Sequence, residues 1–502
     1  MQTLSATLTA AQANRNYERL CKIVLSKSNT RYGYDLSDRL LNSSLLIQPD
    51  SHSAQVALRN TDASLSALTL SGYQGVISHG YKTGVARSIW VKATAYSLDD
   101  IVTPTTVTGY QYRCSVAGTS HATTEPTWPT ALGAVVTDGT VTWEMDGVTG
   151  SEYARTPPLR VKIPDFFSSH GTTAFSLNLI GIPNQLAEDE ASSTYTQTSS
   201  SSLTIKTLFT AVAEATLAPY THCTAFTVDY DSEDDLIDTF KPADFFRVYV
   251  GEDRWSKLKW LLAYTKCVMR IGVDGHIHVS SPTVSGTSYD YTFDDDYMDA
   301  DAHTFFNKRY RSALVMPNKV IVQSHSDHKP FYSGEATSSV SYGLLEKTKF
   351  RQMRLTSNAQ GTNIAKAMIQ KFEQDAEKGT GVAPMNVGQE IFDYVDIIDS
   401  VQSDERSGNV GYIRFDVGRG RFSQTFGFGK LALGSLIGMG VSGGSDGTSG
   451  SFSYDQVVSM INDFYDALNN MADVINALEA RRIIDTWHVT EQLNIPSEAL
   501  ET

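Results

Sequence analysis

Charge is the first scarcity of this chain. Only 19% of its 502 residues are Asp, Glu, Lys or Arg, where about 25% is ordinary. Cations are the scarcer sign, 41 Lys and Arg against 56 Asp and Glu, for a net charge of −15. A surface that neutralises nucleic-acid phosphate needs clustered cations. The balance therefore excludes specific nucleic-acid binding and argues against docking on an anionic membrane. Cysteine is nearly absent: Cys21, Cys114, Cys223 and Cys267 lie far apart with no CxxC pair. They read as buried free thiols, not as a disulfide framework or a zinc site. Long apolar runs are missing too, and the nearest approach, Leu431–Val441, is too short to span a bilayer. The opening Met1-Gln2-Thr3-Leu4-Ser5 has neither a charged n-region nor an apolar h-region, so no signal peptide is expected.

What is present points to strands. Hydrophobic residues at 41% and aromatics at 10% suffice for packed cores, and the length calls for two to four domains. Ser, Thr and Gly are abundant, which favours strands and turns over long helices. The fold class expected is α+β, β-rich and multidomain. The stretch from Tyr289 to about Gly440 reads as a β-barrel-like unit. Within it a strand Lys319–Gln323 is entered through Pro317-Asn318, and Ile364, Met368, Phe372 and Ala376 repeat at helix period near Asn363–Glu377. Helices are also expected at Ala10–Leu20 and Thr204–Leu217, and strand-like runs at Ala54–Leu58 and Leu65–Leu70. Val268–Ile271 and His276–Val279 form a pair turning at Asp274-Gly275.

Residues 92–147 differ in composition. Asp138-Gly139 between two Thr/Val runs is a hairpin signal, and the segment reads as a small all-β module inserted in a surface loop. Its aromatics Tyr96, Tyr110, Tyr112, Trp128 and Trp143 are the candidate ligand contacts. Aromatic rings stack on the apolar faces of sugars, although a small module also needs them for its own core.

Toward the C-terminus the pattern changes. Residues 441–453 form a Gly/Ser linker. In 454–484, Val457, Ile461, Phe464, Leu468, Met471, Ile475 and Leu478 keep a 4,3 spacing, a heptad seam expected to self-associate as a coiled coil. An acidic tail, 485–502, follows. Two motifs nearby fail on context. Gly438–Gly443 fits GxGxxG and Gly443–Gly447 fits GxSxG, but neither sits between a strand and a helix. His276-x-His278 places two imidazoles on one strand face without an evident third ligand. The acid clusters Asp229–Asp238 and Asp290–Asp301 lack the glycine and distal glutamate of a calcium loop and read as solvated loops. No catalytic residue, metal site or cofactor is expected.

Together the Pro317-Asn318-Lys319-Val320 strand entry, the helix after it, the Asn386–Val395 stretch and the helix beyond the Ser/Thr run at 192–202 resemble one family. It is that of the baseplate hub or tail-tip proteins of tailed bacteriophages, tail-associated host-attachment proteins. The resemblance covers roughly residues 1–91 and 148–440. Residues 92–147, through Thr124–Pro129 and Thr137–Trp143, are similar to a module recurring in phage tail and adhesion proteins, for which carbohydrate binding is the implied role.

The resemblance implies a layout of two tube-like β-barrel domains with packed helices. The first comprises 1–91 plus 148–183 and the second 286–440, with an α+β middle domain at 184–285. It implies a homotrimer whose six barrels cap a sixfold tail tube and pass to a threefold tip. Partners would be a distal tail or tube protein above, the tape-measure protein, tail fibre or tip proteins, and a host surface glycan. The location implied is the virion tail tip. Relatives that carry a cell-wall hydrolase place it C-terminally, where this chain has only linker, seam and tail, so enzymatic activity is not expected. The competing expectations are a glycan-binding fibre protein and a tail-associated hydrolase.

Overall fold

The computed structural model describes residues 1–429 except 14–17, 28–32, 86, 99, 131–133, 170–171, 296–304, 306, 313–314, 327–328 and 339–344. The linker, the heptad seam from Val457 to Leu478, the acidic tail and both glycine motifs lie outside the described residues.

A single 14-stranded sheet dominates. Its strands in chain order are β1 (Arg19–Ser26), β2 (Gly33–Asp35), β3 (Leu40–Gln48), β4 (Ser51–Arg59), β5 (Gln74–Lys82), β6 (Ser151–Arg155) and β7 (Leu159–Ser169). They continue with β8 (Thr172–Gly181), β9 (Tyr291–Asp294), β10 (Asn307–Ser312), β11 (Glu377–Pro384), β12 (Tyr394–Asp399), β13 (Asp404–Gly418) and β14 (Arg421–Phe428). The spatial order is β2-β1-β5-β7-β8-β4-β3-β13-β14-β11-β10, with β6 beside β5, β12 beside β13 and β9 beside β12.

Period-two alternation accounts for these strands. Along β4, His52, Ala54, Val56 and Leu58 are buried while the residues between them are more exposed, as a strand covering one core face requires. Val56 stands opposite Leu177, and Ala54 opposite Leu45 on the other side.

Among the described residues the sheet does not close into two barrels. To seal the first half, β3 would have to turn back toward β1 and β2. Instead its residues 43–47 pair with 413–417 of β13, which joins the two halves edge to edge. The long β13 serves both sides: Asp404–Asn409 pairs with β12 and the remainder with β3 and β14. The sheet nevertheless folds over one shared core. His79 of β5 lies 5.2 Å from the Phe415 ring of β13, and Tyr81 lies 5.4 Å from Phe422 of β14. Burial pulls the His79 imidazole down to about 3, so it is neutral in this core.

A second core gathers Ile182–Val279 together with Val320, Val322, Leu355 and the helix Asn358–Ala376. That helix buries Ile364, Ala365, Met368 and Ile369, and it packs chiefly on the sheet of Lys319–Gln323, Ser333–Thr337 and Thr348–Gln352. Helix Ile205–Ala213 begins where Thr204 caps the Thr207 amide. It stops early: Glu214 caps it, and Ala215 takes a positive φ of 55°. Leu65–Leu70 holds a short 3-10 turn, Ser64–Ala67, where a strand was expected. The N-terminal helix is Ala6–Ala13, ahead of the expected position.

Between β5 and β6 the chain makes an excursion. Lys82 and Ser151 pair directly, so the intervening segment leaves and re-enters at one point of the sheet. It folds on its own core of Trp90, Val102, Tyr112, Cys114, Val141, Trp143 and Met145. Its five-stranded sheet includes Ser88–Ile89 and turns at Asp138–Val141, where Gly139 adopts φ 64°.

Candidate functional site

The five aromatics of the module come together, with different exposures. Tyr112 and Trp143 are fully buried, while Tyr96, Tyr110 and Trp128 are half-buried. Tyr96 meets Trp143 at 4.8 Å, Trp143 meets Trp128 at 5.9 Å, and Trp128 meets Tyr112 at 4.3 Å between ring centroids. The run is the module's core, and only Tyr96, Tyr110 and Trp128 present surface that a sugar could reach.

Carboxylates hold the indoles. Asp138 Oδ2 accepts from Trp90 Nε1 at 2.8 Å and from Trp143 Nε1 at 3.0 Å, and Glu125 accepts from Trp128 Nε1 at 2.8 Å. Asp138 was legible only as the hairpin residue, and Trp90 lies outside the composition break.

One buried charge cluster joins the module to the long sheet. Lys22 of β1 donates to the Asp146 carbonyl at 2.8 Å and lies 3.3 Å from its Oδ1. Arg113 Nε approaches the same carboxylate at 3.4 Å, and Gln111 donates to Oδ2 at 2.9 Å. Burial would push the Asp146 carboxyl up, but Lys22 and Arg113 outweigh it and bring it down to about 2.

A second cluster lies away from the module. Strand Val228–Ser232 runs parallel to Ile277–Ser280 with Asp229 beside His278. Asp229 and Asp231 are thus on a strand, where solvated loop was expected. His276 Nδ1 lies 2.7 Å from Asp229 Oδ2, and His278 lies 3.0 Å from Asp231 through Nδ1 and 3.1 Å from Asp274 through Nε2. The His-x-His pair was visible in sequence, but its carboxylate partners come from a parallel strand pairing that local pattern does not encode. From the other acid cluster, Asp290 accepts the Tyr394 amide at 2.8 Å and Asp295 accepts the Ser400 hydroxyl at 2.8 Å.

None of the four cysteines is in a disulfide; Cys114 and Cys267 are buried, Cys21 and Cys223 half-buried. A cavity of about 360 Å³ lies where the second core meets the long sheet, lined by Trp255, Met269, Met368, Lys371, Phe372 and Phe392. Burial lowers the Lys371 ammonium to about 8, and it donates to the Leu262 carbonyl. No described helix is long and apolar enough to cross a membrane.

No protein-family model and no curated protein matches the chain. Solved structures similar to it are named as tail and baseplate proteins. A tail protein from Neisseria meningitidis is 10% identical, with a TM-score of 0.49, over 82% of this chain and 96% of that one. A 43 kDa prophage tail protein from Shewanella oneidensis is 10% identical, with a TM-score of 0.43, over 82% and 98%. A prophage tail protein from Listeria monocytogenes is 10% identical, with a TM-score of 0.41, over 83% and 97%.

Proposed function

We infer that this chain is a structural virion protein of a tailed bacteriophage, a trimeric hub at the distal end of the tail. The observation that carries this reading is the edge-to-edge junction of two strand-rich halves through β3 and β13. A subunit built of two sheet halves offers six such halves in a ring of three, which matches a sixfold tube above and a threefold tip below. The ends of the strand path support the same assembly. β2 and β10 each have an unpaired edge among the described residues, and such edges are ready to pair with a neighbouring copy. The net charge of −15 suits a conduit through which DNA passes without adhering. The tube or distal tail protein and the tape measure would contact one face of the ring, and fibre or tip proteins the other.

Immunogold labelling of intact particles tests the location. Label at the distal tip is expected; label confined to the head, or none on particles, would overturn the reading.

A second role, glycan attachment, fits the module alone, because Tyr96, Tyr110 and Trp128 keep accessible surface. Glycan-array binding lost in Trp128→Ala, with the strand signature in circular dichroism and assembly retained, is the result that role requires. Unaltered binding would discard it.

A further inference from the structure

At His278 one imidazole and two carboxylates converge. We propose that Asp229, Asp274 and His278 bind a single divalent cation of borderline softness, Zn²⁺, with a position left open to water.

The backbone brings the three donors together from separate turns of chain. Asp229 stands beside His278 on the neighbouring parallel strand. Asp274 comes from the turn between Val268–Ile271 and Ile277–Ser280, where its Oδ1 accepts the His276 amide at 2.9 Å and its Oδ2 faces His278. Ile277, Val279 and Tyr230 of these strands pack into the second core, so the alternate residues face outward as a group.

Distances favour a metal of this size. One ligand atom from each residue lies within 4.8 Å of the others. Tetrahedral zinc with bonds of ~2.1 Å separates its ligand atoms by roughly 3.4 Å. His278 Nε2 lies 3.1 Å from Asp274 Oδ2 and 3.9 Å from Asp229 Oδ2, values on either side of that spacing. An imidazole with two carboxylates suits zinc; calcium prefers six to eight oxygens.

Two features outside the triad point the same way. Asp231 lies 3.0 Å from His278 Nδ1, on the side away from Asp274. A carboxylate there holds the proton on Nδ1 and turns the Nε2 lone pair toward the cation, the usual outer support of a metal-bound histidine. Gly272 supplies the room. A Cβ at that position would lie 2.5 Å from both Asp274 Oδ1 and His278 Nε2, so a side chain would displace both donors. Asp229 and Asp274 are each about two-fifths exposed, which leaves an entry path. The bound ion would tie the 272–276 turn to the strand Val228–Ser232.

The test is calorimetric titration of the chelator-treated full chain with Zn²⁺ in excess Mg²⁺. One equivalent is expected to bind. Asp274→Asn and His278→Ala should abolish that binding, and Asp231→Asn should weaken it about 10–100-fold through loss of histidine orientation. Cobalt in place of zinc should give visible absorption that His278→Ala removes. Asp274 sits in an exposed turn, so its variant keeps the test open if His278→Ala fails to fold. No zinc binding by the wild type, or equal binding by Asp274→Asn with unchanged circular dichroism, would overturn the proposal; the cluster would then be a set of histidine–carboxylate hydrogen bonds only.

Discussion

Asp146 and Asp396 show how differently one residue type behaves in this protein. Asp146 is buried between Lys22 and Arg113, and its lowered pKa contributes stability that is present above the unfolded carboxyl range of about 4. That contribution is lost as pH falls toward about 2. Asp146→Asn leaves the buried Lys22 ammonium without its charge partner and should cost ~3–5 kcal/mol in urea unfolding at pH 7. Asp396 is the opposite case. It is 1% exposed, one carboxylate oxygen has no hydrogen-bond partner among the described residues, and burial, then Glu405 and Asp294, push it up to about 6. A raised carboxyl stabilises the fold below the unfolded value and loses that contribution as pH rises through about 6. Asp396→Asn should therefore stabilise the protein by roughly 1–3 kcal/mol at pH 8 and change little at pH 3, below the unfolded carboxyl range. An equal shift in melting temperature at both pH values would rule out ionisation as the cause. Neither acid could be told from its neighbours in sequence, because its surroundings are assembled by residues far along the chain.

Elements were read more successfully than their environments. The helix period of Ile364, Met368 and Phe372 and the Thr204 cap are local signals, and both helices are present. The clamp on the second of these helices is not local. Arg254, fully buried, donates to the carbonyls of Val212 and Ala213 at the helix end, and also to the Thr224 carbonyl and Asp189. It satisfies carbonyls that a helix end leaves open. Arg254→Ala should cost ~3–5 kcal/mol, since it strands the Asp189 charge and several acceptors; thermal melting would show it. The Asp138-Gly139 turn was likewise legible, and the module around it has its own core. Joining Lys82 to Ser151 through Asn-Gly, with Lys22→Met to remove the unpaired ammonium, should leave the long sheet folded. Loss of the strand signature in circular dichroism would show that the sheet depends on the module.

At the scale of the molecule, the sequence conveyed that strands dominate but not how they join. Alternation marks β3 and β13 as half-buried strands. It carries no information that residues 43–47 pair with 413–417, because residues that meet there, such as Ser44 and Arg414, stand 370 residues apart in the chain. Two tube-like barrels were what the family resemblance implied; one sheet joined through β3 and β13 is what the pairing of the described residues makes. That junction is the basis on which the ring of three is proposed. The measurement that tests it most directly is the mass of the full chain in solution by light scattering. Three copies of the 55.0 kDa chain, about 165 kDa, are expected at micromolar concentration. A stable species at the monomer mass would contradict the trimeric hub.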